Sequence, residues 1–446
     1  MADEPIDPRK AGWLLPALEL FLATRDEDGA LRTVRALEAE DPDATRLTLA
    51  TRLAQARLEG LSLRPGLELL RPALRQALEE RATPRAALEA LGLLAAQWEV
   101  LADIALLYGN RSEPRERVLE LLTVMALGAG ELELARELDQ AHLQAQIEPI
   151  DAGPLARRVE RALAHQLRGG STLLGLGLTW LEARALASLA AHWFEQAAVE
   201  EDGVRMLLEL SQREKGELFE VLAEVAWADG RLAPQEQRLI EQLLGLANLD
   251  PASAQRVRER LGAPPLPVQA HVRHRLDRST RRFVLEQAIL LTLVDEEQHE
   301  DELAALSAIA TRLGGSPREL EETLVEVVAY CEANRRELQS LGPVSGGLGR
   351  LQRLVRERAQ EAVRRNAGAV LQEIKETGEL ARLLAAASVR KLTPDESRRV
   401  KSQLLDVAKT VPALAIFALP GGGLLLPLLM KVLPWNVLPS AFTDEE

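Results

Sequence analysis

The sequence predicts an almost wholly α-helical protein, and three observations carry that prediction. Leu and Ala dominate a chain that is 47% hydrophobic but only 3% aromatic. Both residues favour helices, and β-branched runs are scarce. No stretch alternates apolar and polar residues as a half-buried strand would. At 446 residues, the chain has room for two or three domains.

The first part, residues 1–200, reads as a helical domain. Helical periodicity is strong in WLLPALELFL, LLRPALRQALEE and ERVLELLTVMAL. Turn signals punctuate it at Asp41-Pro42, Thr83-Pro84 and Glu113-Pro114. Gly169, Gly170, Gly175 and Gly177 suit a close helix crossing, in a membrane or in a soluble bundle. His192 and Trp193 lie in an apolar stretch and are expected in the core or half-buried. The segments from Val100 to Leu122 and from Gly169 to Phe194 together resemble the EcsC family, which implies membrane association.

The second part, residues 205–340, carries an internal repeat. LAEVAWADGRLAPQEQRLIEQLLGLANL is followed by AILLTLVDEEQHEDELAALSAIATRLGG. Asp229 aligns with Asp295 and Glu236 with Glu302. Each copy reads as a helix, an acidic turn and a second helix opening near Pro234 or Asp301. Ser316-Pro317-Arg318-Glu319 then gives a cap, a proline at the first helical position and a glutamate at the third. This repeat resembles the TerB-like, tellurite-resistance fold, through AWADGRLAPQE and through TLVDEEQHEDE, where Glu296 replaces the glycine. The resemblance implies an all-α bundle with an acidic patch and a divalent-cation role.

Two readings of the acidic turns stay open. Asp229, Glu236, Asp295 and Glu302 could converge on a hard divalent cation, Ca²⁺ or Mg²⁺, with His299 joining them. Alternatively the carboxylates cap helix N-termini and oppose the helix dipole. Between the copies, Arg273, Arg275, Arg278, Arg281 and Arg282 form a basic patch. It could grip phosphate, lipid headgroups or RNA, or pair with the acidic turns of its own domain.

The third part, residues 350–446, follows a flexible link from Ser340 to Gly349 and pairs basic amphipathic helices with an apolar terminus. Residues 350–409 hold 14 Lys and Arg against 8 Asp and Glu, inside a chain whose net charge is −14. Thr393-Pro394-Asp395-Glu396 repeats the capping signature. The stretch from Thr410 to Met430 carries no charge, which suits a bilayer core. Pro412, Pro420 and Pro427, with Gly421, Gly422 and Gly423 between them, break it into short helices. Trp435 suits an interface. The alternative is an apolar hairpin packed on the protein's own core.

This terminus resembles the membrane-segment region of the Letm family. The landmarks are Asp406, Pro412, Pro420, the LLLP from Leu424 to Pro427, Leu428, and LPSAF from Leu438 to Phe442. Letm proteins belong to the inner mitochondrial membrane, with plant and bacterial relatives, and are linked to cation/proton exchange and ribosome binding. In the family a ribosome-binding helical region follows this segment. Here four residues follow Phe442, so ribosome binding is implied by the resemblance alone.

Other classes are disfavoured. Cys331, the one cysteine, excludes an intramolecular disulfide and a Cys-based zinc cluster, and it reads as a small buried hydrophobe. No GxSxG, HExxH or glycine-rich phosphate loop occurs, so no enzyme is expected. Overall acidity argues against DNA binding. The N-terminus lacks the layout of a secretory signal. The expectation is a cytoplasmic body attached to the inner face of a membrane, serving as an accessory protein in cation or envelope homeostasis. The rival is a soluble all-α scaffold with its tail buried in its own core.

Overall fold

The computed structural model describes residues 4–58, 66–109, 113–164, 175–228, 230–262, 278–293, 300–333 and 378–390, and then 393, 395, 396, 398–400 and 403. Every regular element among the described residues is a helix, as the composition predicts. The chain divides into two compact units. One is Met1–Ala223 with Gln237–Pro267, and the other is Glu224–Glu236 with Val268–Glu446.

The first unit begins with α1 (Leu14–Ala23), α2 (Glu27–Glu40), α3 (Arg46–Leu58), the single turn α4 (Gly66–Leu69) and α5 (Pro72–Glu80). It continues with α6 (Arg85–Leu107), α7 (Pro114–Gly128), α8 (Leu132–Ala145), α9 (Gly153–Leu163) and α10 (Gly175–Gln196). The turn signals mark true boundaries. Pro114 is the first residue of α7, where its missing N–H costs no helical bond. Pro84 is the N-cap of α6, and Asp41 closes α2.

Helix α6 is the core of this unit. Leu88, Leu91, Trp98, Leu101 and Ile104 are all buried along it, and α2, α3, α4, α7 and α10 pack around it. Among the described residues it is the helix long and apolar enough to cross a membrane, yet 83% of its apolar window is buried by the protein. A helix apolar all round belongs either in a core or in lipid, and here the protein itself covers it. Trp98 meets the edge of Phe21 at 5.5 Å. A Cβ on Gly92 would lie 1.7 Å from the backbone oxygen of Gly66, so glycine lets α4 lie directly on α6.

Helices α11 (Glu201–Ala226), α12 (Pro234–Leu246) and α13 (Pro251–Leu261) follow. The boundary between the units falls within α11, after Ala223, and again within α12, after Glu236. The second unit then holds α14 (Arg278–Thr292), α15 (Glu300–Arg312), α16 (Pro317–Ala333) and α17 (Gly378–Val389). α14, α15 and α16 pack on one another. Their shared core includes Phe283, Ile289, Ile309, Leu324 and the fully buried Cys331. Arg312 grips Glu224 through two nitrogens at 2.9 and 2.5 Å.

Candidate functional site

The first acidic turn is built by the end of α11 and the start of α12. Gly230 has φ +84°, a left-handed conformation that glycine adopts without steric cost. It lets the chain reverse before Pro234 opens α12. Glu236 sits at the third position of that helix and is only 3% exposed. Its Oε2 accepts the backbone N–H of Ala233 at 3.2 Å. That is the backward half of a capping box, formed here without a Ser or Thr to supply the other half.

Asp229 and Asp295 lie outside the described residues, as does His299. Glu302 occupies the third position of α15, equivalent to Glu236 in α12. Among the described residues no group of three or more His, Cys, Asp or Glu is placed to hold a metal.

The basic segment separates into parts. Arg273 and Arg275 lie outside the described residues, and Arg278 is exposed at the start of α14. Arg281 donates to Glu319 on α16 at 2.9 Å. Arg282 donates to Glu286 at 3.2 Å and also pairs with Glu326. Both side chains therefore bind acids of their own bundle, on α14 and α16. These pairs run along the faces of α14 and α16.

A buried charge pair lies in α10 and α11. Lys215 approaches Glu182 at 3.7 Å and donates to the backbone oxygen of Ala247 at 3.0 Å. Burial raises the Glu182 carboxyl above its ordinary range, and Lys215 opposes that rise. Sequence reasoning passed over this pair. Its signal was Glu182 itself, a lone acid inside TLLGLGLTWLEARALASLAAHWF. Further along α10, Trp193 is buried and donates to Asp139 at 3.0 Å. His192 is half-buried, 3.3 Å from Glu200.

At the C-terminal end, Thr393 and Glu396 form a complete capping box. The Thr393 N–H donates to Glu396 Oε2 at 2.8 Å, and the Glu396 N–H donates to Thr393 Oγ1 at 3.2 Å. Arg390 adds a two-point grip on the same carboxylate, at 2.8 and 2.5 Å. These bonds, the Arg390 grip foremost, hold Glu396 at about 2. The membrane-segment residues Pro412, Pro420, Gly421, Gly422, Gly423, Pro427 and Trp435 lie outside the described residues.

Two family models match this chain. Residues 171–259 match the tellurite resistance protein TerB, and residues 392–446 match the family described as LETM1-like, RBD. The chain thus has a TerB-like region upstream and a Letm-like C-terminus. The TerB match begins earlier than the internal repeat. It takes in α10, including most of the glycine-rich stretch that resembles EcsC, and the first acidic turn. It ends before the second turn. The second match opens at the Thr393 capping box. No curated protein and no solved structure is significantly similar to the chain.

Proposed function

We propose that this protein is a non-enzymatic accessory protein of cation or envelope-stress homeostasis. Its 392–446 segment serves as the membrane- and ribosome-facing end, and its TerB-like region as an adaptor. The observation that carries this reading is the order of the two family matches in one chain, at 171–259 and 392–446. The LETM1-like RBD match supports ribosome contact and membrane association. The uncharged stretch from Thr410 to Met430, preceded by a basic region, supports approach to an anionic membrane surface. The body sits on the cytoplasmic side, with a protein partner and no DNA.

A divalent cation, Ca²⁺ or Mg²⁺, is part of the proposal. The carboxylates at Asp229, Glu236, Asp295 and Glu302 would supply hard oxygen ligands. Calorimetric titration of each ion into wild type and into an Asp229→Asn/Asp295→Asn variant tests that role. Equal heats in the two would remove it.

Membrane fractionation of the full-length chain, with carbonate and high-salt washes, tests the anchor. Retention through both washes is the expected result, and a wholly soluble protein would replace the anchor with a scaffold. Co-sedimentation with purified ribosomes tests the other half. Pelleting that disappears when 392–446 is deleted is expected, and unchanged pelleting would move ribosome contact elsewhere.

A further inference from the structure

A cleft of about 950 Å³ opens in the first unit between α1, the start of α7 and the turn from α8 to α9. Neither family match reaches it. Leu15 and Leu22 of α1, Leu119 of α7, and Ile150 give it an apolar lining. Every charged group among its described lining residues is a carboxylate: Glu19, Glu113, Glu116, Glu148 and Asp151. Asp151 accepts the backbone N–H of Gly153 at 2.9 Å. Glu19, Glu113, Glu116 and Glu148 form no ion pair with another described residue.

The apolar surface continues beyond the cleft. Ile147, at its rim, is 88% exposed, and Leu143, four residues earlier, is 54% exposed. Two large aliphatic side chains held in water beside an apolar cleft mark a surface that a partner covers. A small ligand filling the cleft would leave them wet, whereas a helix lying along the cleft would reach them.

The geometry points to a docking site for an amphipathic helix of a protein partner, with Lys or Arg flanking its apolar stripe. Leucine-like side chains at i, i+3 or i+4 and i+7 would enter between α1 and α7. The flanking cations would meet the carboxylate rim, in an attraction that added salt screens. An anionic lipid surface would be repelled by the same rim, so the occupant is a cationic helix.

Fluorescence anisotropy on the full chain tests this. The probe is a labelled synthetic peptide of about 18 residues, built of leucine and lysine with one apolar stripe. The control peptide carries glutamate in place of every lysine. We expect the lysine peptide to bind, to weaken as salt rises, and to outbind the control. Ile147→Asp should weaken it on the order of tenfold, as loss of a buried aliphatic anchor does. That side chain is nearly free in the unbound protein, so the variant folds. Glu19→Lys with Glu148→Lys should weaken binding by a similar or smaller factor, while Met206→Ser, on α11, should leave it unchanged. Equal binding by all variants, or no binding by wild type, would overturn the assignment. So would binding of phosphatidylglycerol vesicles that Ile147→Asp abolishes, since the face would then be a lipid face. A change of oligomeric state in Ile147→Asp would assign the cleft to a second copy and overturn it too.

Discussion

A buried cluster in the first unit and the helix starts of the second use carboxylates in different ways. In the first, acids are taken out of water and matched to cations far away in sequence. Asp103 is fully buried on α6. It pairs with Arg25, which is itself 3% exposed, and with Arg57 at 2.8 Å. Neighbouring Glu99 is shared by Arg25, at 3.3 Å, and Arg71. At helix starts of the second unit, a glutamate at the third helical position can answer a backbone N–H instead. Glu236 and Glu396 reach back to the N-cap residue. Glu319 occupies the same position after Ser316, whose Oγ accepts the Glu319 N–H at 3.2 Å. Its carboxylate, however, turns to Arg281 of α14. Identical local grammar fixes where a helix begins. Whether the glutamate caps its own helix or ties it to another depends on which cation packs nearby.

The sharpest way to break this contrast is to remove a buried acid. Asp103→Ala leaves Arg25 buried without its main partner, and should cost about 3–5 kcal/mol, read as a lower urea midpoint. A loss under about 1 kcal/mol would mean that the core does not depend on the pair.

Lys215→Met should cost somewhat less, about 2 kcal/mol, because Glu182 can take up a proton once its cation is gone. The deficit should shrink as pH falls, since neutral Glu182 needs no cation. A deficit that grows on acidification would contradict the raised Glu182 carboxyl.

Glu319→Gln tests the tie between α16 and α14. A charge-assisted bond between two mostly buried groups is worth about 1.5–3 kcal/mol. Ser316→Ala, which removes only the cap, should cost about 1 kcal/mol. The reverse order would make Glu319 a cap first and a tie second.

The smallest effect belongs to Glu396. Its carboxyl is held near 2 against an ordinary value of 4.5. Its support of the helix start is therefore present above the ordinary value and lost as pH falls through about 2. The Thr393 amide, bonded to that carboxylate, should report the titration by NMR. A midpoint near 4.5, the ordinary value, would dissolve the box.

The helical class and the helix starts were legible because their causes are local. Proline at the first helical position, Ser or Thr before it and Glu after it act within one turn. This is why Pro114, Pro234, Pro317 and Thr393 read correctly. The TerB-like and Letm-like segments were legible for a related reason, since AWADGRLAPQE and LPSAF are contiguous strings. Which particular acids Arg281 and Arg282 bind was not legible. Arg281 and Arg282 read as a patch with Arg273 and Arg275, but their partners Glu319 and Glu326 lie more than a helix away in sequence. The cleft was invisible for the same reason, because Glu19, Glu116 and Glu148 come from three separate segments, two helices and a turn.

By itself, then, the sequence determined that the chain is helical, where its helices open, and which two stretches carry a family signature. Hydrophobic periodicity and capping act over a few residues, so they are written in order along the chain. Only the tertiary structure decided which charges are buried and with whom, that α6 is a core helix rather than a membrane span, and where an acidic, apolar face is left uncovered. Those outcomes depend on desolvation and packing between segments tens of residues apart. No local pattern encodes them.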